Sequence, residues 1–107
     1  MGLTKALAVA YASRNIRINA ICPGPIDTQM LWAGATNDEE RAAVLPSRVA
    51  SCPAARYGSP GDVAAAALFL ASDESIFVNG IGLAVDGAKA AGVMTTDRYR
   101  LDFALNM

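Results

Sequence analysis

The chain contains few of the side chains that usually carry enzyme chemistry. It has no histidine, so the commonest general base and the commonest metal ligand are both absent. Its two cysteines, Cys22 and Cys52, form no Cys-x-x-Cys pair and have no histidine to complete a zinc site. A disulfide between them is conceivable, but the composition is not that of a secreted, disulfide-stapled domain. We therefore expect no metal site, and reduced thiols in a cytoplasmic protein.

A short Pro-Gly-Pro segment is the most distinctive local feature. Pro23 and Pro25 cannot donate to a strand ladder, and Gly24 allows the backbone to turn sharply or to approach a ligand closely. The residues alone leave two interpretations open. The segment is either an ordinary turn, with Thr28 as a helix cap, or part of a binding site.

The composition excludes several classes of function. The 107 residues are 53% apolar and 18% charged, which indicates a folded domain and not a disordered chain. The net charge of −1 gives no electrostatic reason to bind nucleic acid or an anionic membrane. The longest apolar run, residues 63–71, is far shorter than the roughly 20 residues that cross a bilayer. We expect neither a nucleic-acid partner nor a membrane association.

Apolar periodicity predicts the elements that position this segment. A helix with an apolar stripe starts near Leu3 and ends at Asn15, and an apolar strand covers residues 17–22, with Cys22 as a small core residue. Residues 26–54 are irregular apart from one short helix, which Asn37 caps and Pro46 stops. The motif Ser59-Pro60-Gly61-Asp62 predicts a capping box for a helix through residue 71, buried on most sides. A second apolar strand covers residues 81–85.

The order strand, helix, strand predicts a parallel α/β arrangement. A parallel sheet of two strands cannot cover itself, and its open edges invite association. We therefore expect the chain to be part of a larger α/β layer structure.

Five segments in this order and spacing resemble the short-chain dehydrogenase/reductase family, and they span residues 2 to 88. They are Gly2-Leu3-Thr4-Lys5-Ala6-Leu7-Ala8; Ile16-Arg17-Ile18-Asn19-Ala20-Ile21-Cys22-Pro23-Gly24 with Thr28; Arg56-Tyr57-Gly58-Ser59-Pro60-Gly61-Asp62-Val63-Ala64; Phe69-Leu70-Ala71-Ser72-Asp73; and Gly80 through Asp86-Gly87.

The resemblance implies an α/β fold with a Rossmann-type doubly wound parallel sheet. Residues 1–88 would be the C-terminal part of that domain, with its last two strands and flanking helices, and residues 89–107 a tail. Members exchange a hydride between NAD or NADP and an alcohol or a carbonyl. In this chain, Ala88 stands where the family has the second glycine of an Asp-Gly-Gly turn, which puts the form of that turn in doubt.

The family's proton transfer uses a Tyr-x-x-x-Lys pair, and no tyrosine of this chain has that spacing. Tyr11 is followed by Asn15, Tyr57 by Gly61 and Tyr99 by Phe103. The Gly-rich turn that seats the pyrophosphate is also missing. We expect no catalytic residue here, and an isolated chain that neither turns over alcohols nor binds NAD(H) tightly.

By the same resemblance, the chain contributes the nicotinamide side of the cofactor site and the substrate lid. The cofactor-binding residues would be Pro23, Gly24, Ile26 and Thr28, with the backbone of Ile26 holding the carboxamide. The substrate-binding residues, in a loop covering about residues 26–54, would be Pro25, Met30, Leu31 and Trp32. Leu31 and Trp32 have the alternative of simply packing inward.

We expect the partners to be a small uncharged alcohol or ketone and either further copies of the chain or a missing N-terminal half. The rival hypothesis is a non-catalytic module that associates with itself or with full-length relatives. The DNA upstream of Met1 separates the two. An in-frame Tyr-x-x-x-Lys motif and Gly-rich turn would support the first hypothesis, and an immediate stop codon would contradict it.

Overall fold

The computed structural model describes residues 1–92. The tail predicted at 89–107 lies mostly outside this range. The helices and strands, in chain order, are α1 (Gly2–Tyr11), β1 (Ala20–Pro23), α2 (Asp38–Ala50), α3 (Pro60–Ala71) and β2 (Gly82–Val85). Short 3-10 turns follow α1 at Ala12–Arg14 and α3 at Asp73–Ser75. Each of the predicted helices and strands is therefore present.

The two strands pair in parallel, in a register that runs from Ala20 opposite Gly82 to Pro23 opposite Val85. The prediction placed the first strand at residues 17–22, which is wrong at both ends. It begins three residues later, and Pro23 belongs to it because the proline needs no amide donor at the last position of the ladder.

Residues 17–19 are held by side chains from the segment before β2. The Arg17 guanidinium donates to the Oγ of Ser75 at 2.9 Å, and Ser75 is fully buried. The amide of Ile18 donates to Oδ1 of Asn79 at 2.8 Å. Because these polar contacts occupy the backbone and side chains here, the regular ladder starts only after them.

α1 ends as predicted. A 3-10 turn extends it to Arg14, and Asn15 then adopts the left-handed conformation with φ of 59°. The buried position of this helix is Ala8, which packs beside Gly80, whereas Leu3 of the predicted apolar stripe is 73% exposed.

α2 begins as predicted but does not end at Pro46. Oδ1 of Asn37 accepts a hydrogen bond from the amide of Glu40 at 2.8 Å, while the Glu40 carboxylate reaches back to Thr36. The hydrogen bond from the Thr36 amide lowers the pKa of Glu40. The helix continues through Pro46 to Ala50, so the stop prediction is wrong. A proline removes one backbone donor, and the helix resumes beyond it.

The capping box of α3 is confirmed. The amide of Asp62 donates to Oγ of Ser59 at 3.2 Å, and the amide of Ser59 donates to the Asp62 carboxylate at 2.7 Å. The expectation that α3 is buried on most sides is wrong: no residue of the helix is buried, and Leu68 is 71% exposed. Within the described residues, α3 contacts mainly β1, β2 and the 3-10 turn at Asp73–Ser75, which leaves the rest of its surface exposed.

Little apolar surface is enclosed within residues 1–92. The buried apolar side chains there are Ala8 and Cys52, and Phe77 is 100% exposed. Cys22, expected in the core, is exposed, because its side of β1 has no covering layer in the described range. Both cysteines are free thiols. None of the helices in this range is long and apolar enough to cross a membrane.

We predict that Gly24→Ala destabilises the fold. A Cβ at Gly24 would lie 2.4 Å from the Cβ and 2.6 Å from the Cα of Asp86, so the backbone itself would have to move. The expected loss is about 1–3 kcal/mol in the free energy of unfolding, as for other overpacked sites. Urea denaturation measures it.

Gly92→Ala is the matched control, because a Cβ there has no neighbour within 4 Å. Equal unfolding free energies for the two variants would contradict the assignment of a packing role to Gly24.

Candidate functional site

The carboxyl ends of β1 and β2 lie side by side at one edge of the sheet. The ladder continues one residue past β1, because the amide of Gly24 donates to the carbonyl of Val85 at 3.0 Å. Ligands of open parallel sheets bind beyond this edge. The predicted binding segment therefore emerges where the fold supports a ligand site.

The loop that follows β1 is closed at its base. Ile26 forms an isolated parallel bridge with Gly58. The amide of Gly58 donates to the carbonyl of Pro25 at 3.0 Å, and the amide of Asp27 donates to the carbonyl of Gly58 at 2.7 Å. These two bonds tie the start of the loop to the segment that leads into α3.

The two hydrogen bonds of the bridge do not involve the backbone N–H and C=O of Ile26. In this parallel bridge, Gly58 makes both hydrogen bonds, and they go to Pro25 and Asp27 on either side of Ile26, so the N–H and C=O of Ile26 take no part in them. Within the described residues, neither group of Ile26 has a hydrogen-bond partner. A donor and an acceptor on one residue of a fixed strand are the complement of a primary carboxamide.

The other predicted cofactor residues have structural roles in the described chain. Pro23 ends β1, and Gly24 accommodates the close approach of Asp86. Thr28 is exposed, and its carbonyl accepts a hydrogen bond from the amide of Leu31 at 3.0 Å in a turn. Thr28 therefore lies in a turn before Leu31 and does not cap a helix.

The predicted substrate residues divide into two groups. Met30 is 87% exposed, whereas Leu31 and Trp32 are half-buried. The indole of Trp32 packs edge-on against the ring of Tyr57, with 6.0 Å between centroids and an interplanar angle of 66°. Its Nε1–H donates to Oδ1 of Asp27. For Trp32, the alternative of inward packing agrees with this geometry.

An ion pair stands at the entrance to α3. Arg56 donates to the Asp62 carboxylate at 3.0 Å and to the carbonyl of Tyr57 at 2.8 Å. The Arg56 guanidinium, together with the amide and hydroxyl of Ser59, lowers the pKa of Asp62 from about 3.8 to about 2. All of these hydrogen bonds go to Oδ2, and the lowered pKa keeps this carboxylate ionised and only weakly basic at neutral pH.

The turn after β2 is built by Asp86. Its carboxylate accepts hydrogen bonds from the amides of Ala88 at 3.0 Å and Ala90 at 2.9 Å. Ala88 has φ of +69°, the left-handed conformation that favours glycine. The alanine at this position therefore keeps the turn at the cost of backbone strain.

Two clefts flank the bridge. One, of about 350 Å³, lies at the end of β2 among residues that include Asp86, Arg56 and Ala54. The other, of about 560 Å³, is lined by Trp32 and Tyr57 together with residues of α2, including Leu45 and Val49. In residues 1–92, no three histidine, cysteine, aspartate or glutamate side chains are grouped to hold a metal ion.

The contacts that Asp27 and Tyr57 make in this site were not predicted from the sequence. Asp27 stands next to Ile26, and its partner Trp32 follows five residues later in a loop without periodicity, so spacing carries no signal for the contact. Arg56 stands six residues before Asp62, outside the spacing of helical ion pairs.

Comparisons with known proteins agree with this architecture. Residues 1–88 match the family described as enoyl-(acyl carrier protein) reductase. The chain is similar to 2-(S)-hydroxypropyl-CoM dehydrogenase 3 of Xanthobacter autotrophicus, with 36% identity over 85% of this chain and 36% of that protein. It is also similar to oxidoreductase UcpA of Escherichia coli K12, with 44% identity over 81% of this chain and 34% of the relative.

A solved structure from Agrobacterium tumefaciens, assigned as a 2-deoxy-D-gluconate 3-dehydrogenase and holding bound NADP, superposes with a TM-score of 0.69. Its sequence is 40% identical, and the match covers 85% of this chain and 35% of that one. The likeness confirms the predicted Rossmann-type α/β fold class.

The chain spans about a third of the length of these relatives. The family match nonetheless extends over most of the chain, and the matched range contains both strands, the closed loop and the capped helix. The chain belongs to the short-chain dehydrogenase/reductase family of oxidoreductases.

Proposed function

We propose that the chain is the C-terminal part of an NAD(P)-dependent oxidoreductase that interconverts an alcohol and a carbonyl. In this proposal, residues 1–88 belong to the Rossmann domain and the loop at about 26–54 is the substrate lid. The protein would act in the cytoplasm on a small uncharged alcohol or ketone. Because the chain spans about a third of its relatives, the activity belongs to the larger assembly.

The observation that carries the proposal is the uncommitted backbone of Ile26 beyond the carboxyl end of β1. Its N–H and C=O fit the carbonyl and amino groups of a carboxamide, which would orient the attached ring. Each such hydrogen bond contributes about 0.5–1.5 kcal/mol net. When bound, NAD(P) supplies or accepts a hydride at that ring, and a fixed orientation presents one face of it to the substrate.

The remaining residues of the proposed site either position the backbone beside the cofactor or cover the substrate. Pro23 and Gly24 would bring the backbone to the ligand, and the exposed Thr28 hydroxyl would contact the carboxamide or a phosphate. Pro25, Met30, Leu31 and Trp32 would line the lid, where apolar side chains exclude water from the hydride transfer. The catalytic tyrosine and lysine would come from outside this chain.

A chimera tests this proposal. Residues 1–88 replace the matching segment of the Agrobacterium tumefaciens protein that holds NADP. The chimera is expected to bind NADP, and Ile26→Pro, which removes the backbone donor, should weaken binding roughly three- to tenfold, as for the loss of one hydrogen bond. Fluorescence titration measures the affinity.

Ile26→Ala is the matched control, since it changes the side chain and keeps both backbone groups. Its affinity should stay within about twofold of the parent chimera, on the same hydrogen-bond argument. A folded chimera that does not bind NADP, or an Ile26→Ala loss as large as that of Ile26→Pro, would refute the proposal. Thermal unfolding checks that each chimera is folded.

A second candidate, a non-catalytic module that associates with itself or with full-length relatives, is favoured by one observation. Large apolar side chains are uncovered in the described residues, among them Leu3, Val9, Leu68 and Phe77. The polar groups along the outer edges of a two-stranded sheet also offer pairing sites. Both features favour association.

We therefore predict that the purified chain self-associates. Sedimentation velocity at micromolar concentration should show dimers or larger species, because burying exposed apolar surface stabilises the associated state by about 25 cal/mol per Å². A stable monomer with a cooperative unfolding transition would contradict this expectation. If oligomers form and the chimera above fails to bind NADP, the module hypothesis is the one that survives.

A further inference from the structure

We propose that Trp32 is a positioning residue that holds the backbone of Ile26 in place through Asp27. We call the group formed by Trp32, Asp27, Tyr57 and Gly58 the Trp32 clasp. The functional meaning of the clasp depends on the proposed role of Ile26, while its physical basis is independent of that role.

Asp27 links Trp32 to the backbone bridge at Ile26. Its side chain accepts a hydrogen bond from the indole Nε1–H of Trp32. Its backbone amide donates to the carbonyl of Gly58 at 2.7 Å, and this is one of the two bonds of the bridge at Ile26. A shift of the Asp27 side chain therefore acts directly on a bond that fixes the neighbouring Ile26.

Tyr57 joins the clasp from the other strand of the bridge. Its ring meets the Trp32 indole edge-on at 6.0 Å, and it directly precedes Gly58. Trp32 thus contacts one residue on each side of the bridge. Edge-to-face aromatic pairs at this separation are attractive, so the indole draws the two strands together.

Hydrogen bonds already occupy several polar groups of the clasp residues. The Asp27 carboxylate is engaged by Trp32, and the backbone carbonyl of Tyr57 accepts a hydrogen bond from Arg56 at 2.8 Å. An indole N–H that is already donating has no donor left for a substrate, because indole has only one. This chemistry favours a structural role for the indole over a polar contact with substrate.

The clasp also shapes the larger cleft. Trp32 and Tyr57 line the space of about 560 Å³ together with Leu45 and Val49 of α2. The position of the indole therefore affects the shape of this cleft as well as the segment that contains Ile26. A single side chain couples the two parts of the proposed site.

Amide hydrogen exchange of the full chain tests the clasp without any ligand. The Gly58 amide, which donates to Pro25 within the bridge, is the reporter. Trp32→Phe keeps a ring and loses the N–H, and Asp27→Ala loses the acceptor. Each should raise Gly58 exchange roughly three- to tenfold, the effect of one lost hydrogen bond on a local opening.

Asp27→Asn is the rescue variant, since it retains an acceptor oxygen, and it should bring Gly58 exchange back toward the parent rate. Trp32 is the single tryptophan of the chain, so its fluorescence is a direct second readout. Asp27→Ala should shift its emission, and Asp27→Asn should not. Tyr11→Phe, outside the clasp, is the control for both measurements.

Amides of α3 serve as the internal reference for global stability. The proposal is overturned if Gly58 exchange is unchanged in Trp32→Phe and Asp27→Ala, or if α3 amides accelerate by the same factor. The result is separable from the proposed function. Altered Gly58 exchange with no NADP binding by the chimera would support the clasp and refute the cofactor role. Unchanged Gly58 exchange with NADP binding by the chimera would refute the clasp and support the cofactor role.

Discussion

The bridge between Ile26 and Gly58 is the interaction on which the rest of the candidate site depends. Two backbone hydrogen bonds join the strand that leaves β1 to the segment that enters α3. They close a loop of some thirty residues at its base, and they orient the free backbone groups of Ile26 away from Gly58. Without them, a flexible loop would hold those groups in no defined direction, and a bound ring would lose its orientation.

Two further contacts keep the bridge in register with the sheet. Gly24 packs against Asp86 so closely that no side chain fits between them, which joins the ends of the two strands. At the opposite end, Arg17 reaches the buried hydroxyl of Ser75 and fixes the start of β1 against the turn before β2. In a fold that encloses so little apolar surface within the described range, these polar and backbone contacts determine the geometry.

Local signals in the sequence predicted local structure well. Ser59 and Asp62 predicted a capping box, and Asn15 predicted a left-handed helix end, because both depend on residues within four positions of each other. The prediction that α2 ends at Pro46 was wrong, because a proline weakens a helix without always ending it. Burial of α3 and Cys22 could not be read correctly, since burial depends on which layers cover an element and not on its composition alone. The contact of Trp32 with Asp27 and Tyr57 could not be predicted, because it is made by side chains of irregular segments whose spacing follows no repeating pattern.

The most direct test of the role of Ile26 is a titration of the ¹⁵N-isoleucine-labelled chain with reduced nicotinamide mononucleotide, which presents the carboxamide without the rest of the cofactor. The chain has six isoleucines, and two of them, Ile16 and Ile76, serve as internal controls. We expect the Ile26 amide resonance to move with a saturable, weak affinity, while those of Ile16 and Ile76, outside the site, stay in place. Saturable shifts at other isoleucines with an unchanged Ile26 signal would contradict the account.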